Sequence, residues 1–517
     1  MSAHPTAFPH PTPTPSPPSP HTIEVKPGAH APGGASILPP APIPIPLPQP
    51  VQPAHPTTPR HGAQAVRMKL RDQFAERNPY WRGERVLHAI ESTPRAVRTD
   101  REFADNPHYQ LGLLLAPAYI TFARHILEHA ESFDRVYFLS REGWMFLRMY
   151  HRLARALGVQ SQKPRGTYLA VNRRLTFLAS MDTLSHEEIG RIWKQYPGQS
   201  LRRLLKNLSL PEDVFFHLAA RHGLTDPDAP IYRPWENPVF RSFIDDDHVQ
   251  RMFTIHRDDL RSLLGDYLRQ RGLFEADRVA LVDIGWKGSI QTNLHRAVRG
   301  QPDCPHMHGF YFGYQHMPEM EAAGSTKHGF FCDTRAGDWL QDCILKNNSV
   351  FEMFATAPHG SVGGYTRDPR GWVHARAQVE PEETKNFRGR FREVWKGIDD
   401  YFADYLETPE ALAAPAPEVR PAVLDRLRRY ILYPTGTEAR AFLDYSHVEN
   451  FGVFKVSRYH YHGSWRWILL TRPRRKACRR MLETLRAQRW PQGVCKRLRL
   501  PFATFVMDWL DTRRSTR

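Results

Sequence analysis

The sequence predicts an α/β fold whose core is a parallel β-sheet. Two segments carry this prediction, because each has a short apolar run, then a polar loop, then the start of a helix. The first begins with Arg135–Leu139 and the second with residues 279–282, and residues 309–314 are a further strand candidate. Strand, helix and strand at these spacings imply right-handed crossovers between parallel strands. Residues 168–171 are expected to form a neighbouring strand.

The chain begins with a proline-rich segment that is not expected to join this core. Residues 1–60 hold 20 of the 45 prolines, and such sequence favours an extended chain that buries too little apolar surface to offset its ordering entropy. Residues 1–62 are therefore predicted to be a disordered tail, either a spacer or a ligand for a proline-binding partner. There is no secretory signal pattern, and five scattered cysteines without a C-x-x-C pair favour a reducing cytoplasm.

A helical insertion is predicted within the α/β domain, which spans residues 63–375. The insertion covers about residues 184–275, where Ser185 and Glu188 have the spacing of a capping box. Four leucines of this segment fall on one helical face: Leu201, Leu204, Leu205 and Leu208. The segment is therefore expected to form its own group of helices between two strands of the sheet.

Residues 376–517 are predicted to form a helical, basic C-terminal region. The formal net charge of the chain is +17, and residues 471–517 hold 14 Lys and Arg against three acidic residues. Tryptophans interleaved with these cations suit the surface of an anionic membrane, while a basic helix packed on its own domain is the alternative. Nucleic-acid binding ranks last, because no recognition motif accompanies the charge. We expect a cytoplasmic protein, peripheral to the inner membrane.

A phosphate-handling site is predicted where the 279–282 strand ends. Asp283 follows the apolar run, Gly285 and Gly288 loosen the turn, and Lys287 and Ser289 stand at the start of a helix. Ligands bind at the carboxyl ends of strands in open α/β sheets, and free N–H groups at a helix start favour anions. An ordinary turn, whose glycines serve geometry only, is the alternative. A mixed loop around Glu352 and His359 is expected further on.

Four segments together resemble a known family. They are VYFLSREGWMFL (136–147), YLAVNRR (168–174), VDIGWKGSIQ (282–291) and GFYFGY (309–314). They resemble the C-terminal module of bacterial surface-polysaccharide proteins, whose usual first module is a haloacid-dehalogenase-type phosphatase. The resemblance covers about residues 105–370 and implies a type I phosphoribosyltransferase fold. It implies transfer of ribose 5-phosphate from phosphoribosyl pyrophosphate, with Mg²⁺ bound to the donor, onto a glycan or lipid-linked glycan.

The resemblance also implies roles for individual residues. Arg141 would bind pyrophosphate through a fork of charge-assisted hydrogen bonds, Asp283 would bind the ribose hydroxyls, and Glu142 or Glu352 would act as the base for the acceptor. The substrate-binding residues that follow from it are Ser140, Gly143, Arg173, Lys287, Gly288, Ser289 and Glu352. No metal site made by the protein alone is expected.

This sequence departs from the family pattern at two points. It lacks the Asp-x-Asp-x-Thr/Val loop of the phosphatase module, so phosphatase activity is not expected. Nucleotide-synthesis phosphoribosyltransferases carry two adjacent acidic residues in the later motif, whereas Ile284 follows Asp283 here. One ribose contact would then move to another residue such as Glu352. The alternative function is a non-catalytic phosphosugar-binding or scaffold protein of polysaccharide biosynthesis.

Overall fold

The computed structural model describes the central part of the chain and short pieces towards its C-terminus. The described residues are 79–92, 105–194, 196–336, 344–345, 347–378, 389, 391–443, 445–449, 455–458, 483, 485, 488 and 490–500. The predicted tail at residues 1–62 and most of the basic region at residues 471–517 lie outside them. Within the described residues, no helix combines the length and the apolar character needed to cross a membrane.

A sheet of five parallel strands forms the centre of the fold, and the predicted α/β class is confirmed. The strands are β1 (Arg135–Leu139), β2 (Gly166–Leu169), β3 (Arg278–Trp286), β4 (His306–Tyr314) and β5 (Ser325–Asp333). Their spatial order is β2-β1-β3-β4-β5. Val136 of β1 lies opposite Gly166 on one side and Ala280 on the other. Because helices cover both faces, the central strands are apolar almost throughout.

Three strands differ from the sequence prediction. β3 continues to Trp286, so Asp283 lies inside the strand rather than after it, because Asp283 and Trp286 keep their pairing with Tyr311 and Tyr314 of β4. β2 is shifted towards the N-terminus and ends at Leu169. β5 had no sequence prediction, since the first half of STKHGFFCD is polar.

One face of the sheet is covered by a long buried helix. The first helices are α1 (Pro79–Ser92), α2 (Pro107–His129) and α3 (Gly143–Ala156). α2 begins at Asn106, whose side-chain oxygen accepts from the backbone N–H groups of His108 and Tyr109 at 2.9 and 3.3 Å. Such capping satisfies donors that have no partner in the first helical turn. α2 continues through Pro117 and is buried along most of its length.

Helices fill the stretch of chain between β2 and β3. They are α4 (Arg173–Ala179), α5 (His186–Trp193), α6 (Leu201–Leu208), α7 (Glu212–Arg221), α8 (Pro238–Ile244) and α9 (Asp247–Gln270). The Ser185 hydroxyl accepts from the Glu188 backbone N–H at 3.2 Å, which caps α5. The leucine face of α6 is buried in an apolar cluster with Phe215 and Phe253. This segment therefore has a core of its own, apart from the sheet.

The second face of the sheet is covered by α9, by α10 (Ser289–Val298) and by an antiparallel hairpin of β6 (Ser361–Arg367) and β7 (Val373–Gln378). Along the chain, α11 (Ser349–Ala355) comes shortly before this hairpin. The sequence indicated only a loop of mixed chemistry around Glu352. The structure has a helix there, because Val350, Phe351 and Phe354 are buried in the main apolar core.

The C-terminal helices pack on the same core as the sheet. They are α12 (Phe391–Glu407), α13 (Pro409–Ala413), α14 (Ala416–Leu432), α15 (Gly436–Leu443) and α16 (Pro491–Arg497), with a hairpin of β8 (Ser446–Glu449) and β9 (Lys455–Arg458) before α16. Trp395 of α12 donates through Nε1 to the Phe354 carbonyl at 3.0 Å. A single apolar cluster joins α2, the sheet, α12 and α14.

Candidate functional site

The candidate site lies where the connections of the sheet change direction. From β1 the chain passes to β2 at one edge, and from β3 it passes to β4 and β5 on the other side. In open α/β sheets this switch point leaves a crevice outside the carboxyl ends of the two strands. Here those strands are β1, which is followed by Ser140–Gly143, and β3, which contains Asp283.

Three carboxyl groups meet at the switch point. Asp283 is only 7% exposed, and its Oδ1 accepts from the Ile284 N–H at 2.8 Å. Glu142 accepts from the Arg141 N–H at 3.1 Å. Glu352, from α11, accepts from Nε1 of Trp286 at 3.3 Å. All three acidic residues are candidates from the sequence, but nothing in their spacing along the chain predicts that they are neighbours.

Their mutual repulsion changes how these carboxyl groups titrate. Burial raises the pKa of Asp283 well above its usual value, and the charges of Glu142 and Glu352 raise it further. Burial also raises the pKa of Glu142, against the opposing effect of Arg141. Neighbouring buried carboxyls cannot all ionise easily, so such a pair retains a proton to higher pH than an isolated carboxyl. The site can therefore both hold and accept a proton.

Positive charge lies on one side of the carboxyl group of Asp283. Arg173, the first residue of α4, lowers the pKa of Asp283 in opposition to burial. Burial, and then the charge of Arg173, lower the pKa of Lys287. Lys287 lies two residues before Ser289, where the helix α10 begins. The partial positive charge of that helix start adds to the two cations, which makes this side favourable for an anion.

Gly288 at the start of α10 has a backbone conformation that favours glycine. Its φ is +63°, and a Cβ placed there would lie 2.7 Å from Cδ of Lys327. Lys327 cannot easily move, since its side chain is fully buried and its Nζ donates to the Met320 carbonyl at 2.7 Å. Gly288 also has no side chain that could accept from the first-turn N–H groups of α10. Those groups therefore have no cap from that residue.

The loop after β1 lies between the ends of β2 and β3 in the sheet order and forms another part of the site. The peptide bond between Ser140 and Arg141 is cis. The Ser140 hydroxyl donates to the Val171 carbonyl at 2.6 Å, which ties the ends of β1 and β2 together. At Gly143, the first residue of α3, a Cβ would lie 2.7 Å from the backbone carbon of Phe138. The loop is thus closely packed, and Arg141 is the cation that it contributes.

Two residues near Arg141 were not assigned to the site by the sequence analysis. The Tyr168 hydroxyl, on β2, lies 3.0 Å from Nε2 of His359. The charges of Glu142 and Arg141 act on Tyr168, and that of Arg141 acts on His359. Tyr168 belongs to a predicted strand whose carboxyl end lies at the site. Its position near that strand end is the sequence feature from which Tyr168 could have been predicted as a site residue. His359 is 191 residues further along the chain and has no such signal.

The protein does not form a metal site by itself in the part that the structure describes. No group of three or more His, Cys, Asp or Glu side chains there could hold a metal ion. Mg²⁺ usually binds one or two carboxylates together with substrate phosphates and water. Glu142 and Asp283 fit that smaller donor set. In comparisons of the whole chain, no protein-family model and no curated protein matches it.

Proposed function

We propose that this chain transfers ribose 5-phosphate from phosphoribosyl pyrophosphate to a hydroxyl of a glycan. The observation that carries the proposal is the sequence of charges across the switch point. Arg141 acts on Glu142, Glu142 acts on Asp283, and Arg173 acts on both Asp283 and Lys287. Two neighbouring carboxyls, Glu142 with Arg141 beside it and Asp283 with Arg173 beside it, suit a sugar that carries an anionic group at each end.

The donor would occupy the site with its two anionic groups apart. Arg141 binds the pyrophosphate, since its planar guanidinium can donate two parallel hydrogen bonds to phosphate oxygens. Lys287 and the N–H groups of Gly288 and Ser289 bind the 5-phosphate at the start of α10. Asp283 binds the ribose hydroxyls between them. Glu142 and Asp283 would hold Mg²⁺ together with pyrophosphate, and the ion would supply positive charge that stabilises the leaving group.

The second carboxylate of the family pattern has a spatial counterpart in this chain. Ile284 follows Asp283 where nucleotide-synthesis phosphoribosyltransferases carry another acidic residue, yet Glu142 and Glu352 both act on Asp283 from other elements. Either can take the ribose contact that the sequence motif lacks. This proximity supports a working site rather than the non-catalytic alternative.

The reaction is a displacement at the anomeric carbon. A bond forms between the acceptor oxygen and C1 of the ribose as the bond from C1 to pyrophosphate breaks. Positive charge develops on the ring in the transition state, and the buried carboxylates stabilise it. Most of the rate enhancement would then come from positioning and electrostatics. Glu142 and Glu352 are the carboxylates available to receive the acceptor proton.

Calorimetric titration of the full chain with phosphoribosyl pyrophosphate and Mg²⁺ tests the proposal. We expect saturable binding that is lost in Arg141→Ala and in Asp283→Asn. Arg148→Ala and Asp399→Asn are matched controls, because these residues pair with each other at 3.4 Å between α3 and α12 and are half-exposed. The controls should bind normally. No binding by the wild-type chain would overturn the proposal.

Binding without any release of pyrophosphate would favour the alternative, a phosphosugar-binding or scaffold protein. Attachment to an anionic membrane through the basic C-terminal region stays a prediction. Titration of vesicles with and without anionic lipid would measure it, and salt should weaken the binding if charge drives it.

A further inference from the structure

Tyr168 and His359 form an oriented pair beside the carboxyl groups. The Tyr168 oxygen lies 3.0 Å from Nε2 of His359, while Nδ1 of the same ring lies 2.9 Å from the Gly360 carbonyl oxygen. A carbonyl oxygen can only accept, so Nδ1 carries the proton that is donated to it. Nε2 of the neutral ring therefore has a lone pair and accepts the hydroxyl proton of Tyr168. The Tyr168 hydroxyl thus donates to His359, and His359 donates to the Gly360 carbonyl.

The segment that carries His359 is fixed against the end of β2. Nδ2 of Asn172 donates to the Val362 carbonyl at 2.6 Å. From the hairpin, the Tyr365 hydroxyl donates to the Ala170 carbonyl at 2.8 Å. Both hydrogen bonds join the segment that follows Tyr168 to the hairpin that follows His359. The pair is thus held by well-packed structure, which is what a catalytic arrangement needs.

We propose that Tyr168 and His359, in place of Glu142 or Glu352, form a proton relay that activates the attacking hydroxyl. This inference rests on the proposed transferase function. As the acceptor oxygen forms its bond to C1 and the bond from C1 to pyrophosphate breaks, the acceptor proton moves to the Tyr168 oxygen. At the same time the proton of Tyr168 moves to Nε2 of His359. The products are the ribosylated acceptor, pyrophosphate and an imidazolium at His359, which later returns its proton to solvent.

The charges around the pair agree with these roles. Burial raises the pKa of Tyr168 well above its usual value, and Glu142 adds to this effect, so Tyr168 passes on a proton only as it receives another. Burial, and to a smaller extent Arg141, lower the pKa of His359, which keeps the ring neutral before reaction. Pyrophosphate bound at Arg141 would offset that positive charge. The imidazolium is therefore disfavoured until the donor is in place.

Azide provides a sharp test, because this nucleophile has no proton to lose. The assay follows pyrophosphate release from phosphoribosyl pyrophosphate and Mg²⁺ by the full chain, with water or with sodium azide as the acceptor. In Tyr168→Phe and His359→Gln, we expect release with water to fall by about 10²–10⁴-fold, the usual contribution of a general base. Azide should restore release and give ribosyl azide 5-phosphate. Calorimetry should show unchanged donor binding in both variants.

A second tyrosine–histidine pair offers the matched control. The Tyr445 hydroxyl lies 2.9 Å from Nδ1 of His108, next to the start of α2 and outside the site. Tyr445→Phe should react with water at the wild-type rate. Wild-type rates in the two relay variants, or a loss that azide does not restore, would overturn the relay. Donor binding without release of pyrophosphate to water would overturn it too. Absence of donor binding would instead remove the proposed function.

Discussion

A cluster of histidines where α2 packs on β4 and β5 should make the stability of this protein fall steeply in mild acid. His125 and His129 of α2 pack near His308 of β4 and His328 of β5, and the His125 and His129 ring centroids are 4.3 Å apart. Burial, together with the charges of His328, His306, Arg278 and His129, lowers the pKa of His308 to about 3. The pKa values of His125 and His328 are lowered as well, in each case mainly by burial.

The sign and size of the effect follow from proton linkage. A histidine with a lowered pKa in the fold stays neutral there but takes up a proton when the chain unfolds. Its contribution is therefore present above the ordinary pKa of 6.5 and is lost as the pH falls towards about 3. Between about pH 8 and pH 5, His308 alone should lower the free energy of unfolding by about 2 kcal/mol. His125 and His328 act in the same direction.

The assay is urea unfolding of the full chain, followed by tryptophan fluorescence at several pH values across this range. His308→Phe removes the titrating ring and keeps an aromatic side chain against Phe133 and Phe310. We expect this variant to lose about 2 kcal/mol less than the wild type between the two ends of the range. His217→Phe, at an exposed position of α7, is the control and should follow the wild type. Equal losses for wild type and His308→Phe would refute the reasoning.

Three further substitutions test the site and the helices by the same unfolding measurement. Asp283→Asn should raise the free energy of unfolding at neutral pH, because it removes a buried charge. The gain should shrink in acid, where the carboxyl is protonated. A loss of stability would contradict this prediction. Gly288→Ala should cost about 1–3 kcal/mol, since it places a Cβ at positive φ against Lys327; an unchanged value would mean that the turn adapts freely. Ser185→Ala should cost about 0.5–2 kcal/mol by removing the cap of α5, and restored stability in Ser185→Asp would show that capping is the cause.

Much of the fold could be predicted from local patterns in the sequence. The apolar runs of β1, β3 and β4 are continuous because both faces of these strands are buried. The boundaries were less predictable, since β3 extends through Asp283 and Gly285 only because β4 continues beside it. β5 was missed because Lys327 and His328 look like surface residues, although Lys327 is buried where it bonds to Met320.

The site shows the same division between local and distant information. The turn at Lys287, Gly288 and Ser289 was predictable, because glycine placement and the start of a helix are properties of a few consecutive residues. The effect of Glu142 on Asp283 was not predictable, because it depends on β1 and β3 being neighbours in the sheet. The pairing of Tyr168 with His359 depends further on α11 and the hairpin lying over the end of β2.

The sequence by itself determined the α/β class, the apolar runs of β1, β3 and β4, and the polar residues at and after the ends of β1 and β3. Backbone preferences and burial periodicity act over a few residues, so short stretches of sequence are enough to predict these features. Only the tertiary structure decided the strand order β2-β1-β3-β4-β5, and with it the switch point. Several strand orders would bury the same apolar runs, so periodicity cannot choose among them. Long-range packing makes that choice, and it thereby gathers three distant carboxyl groups into one candidate site.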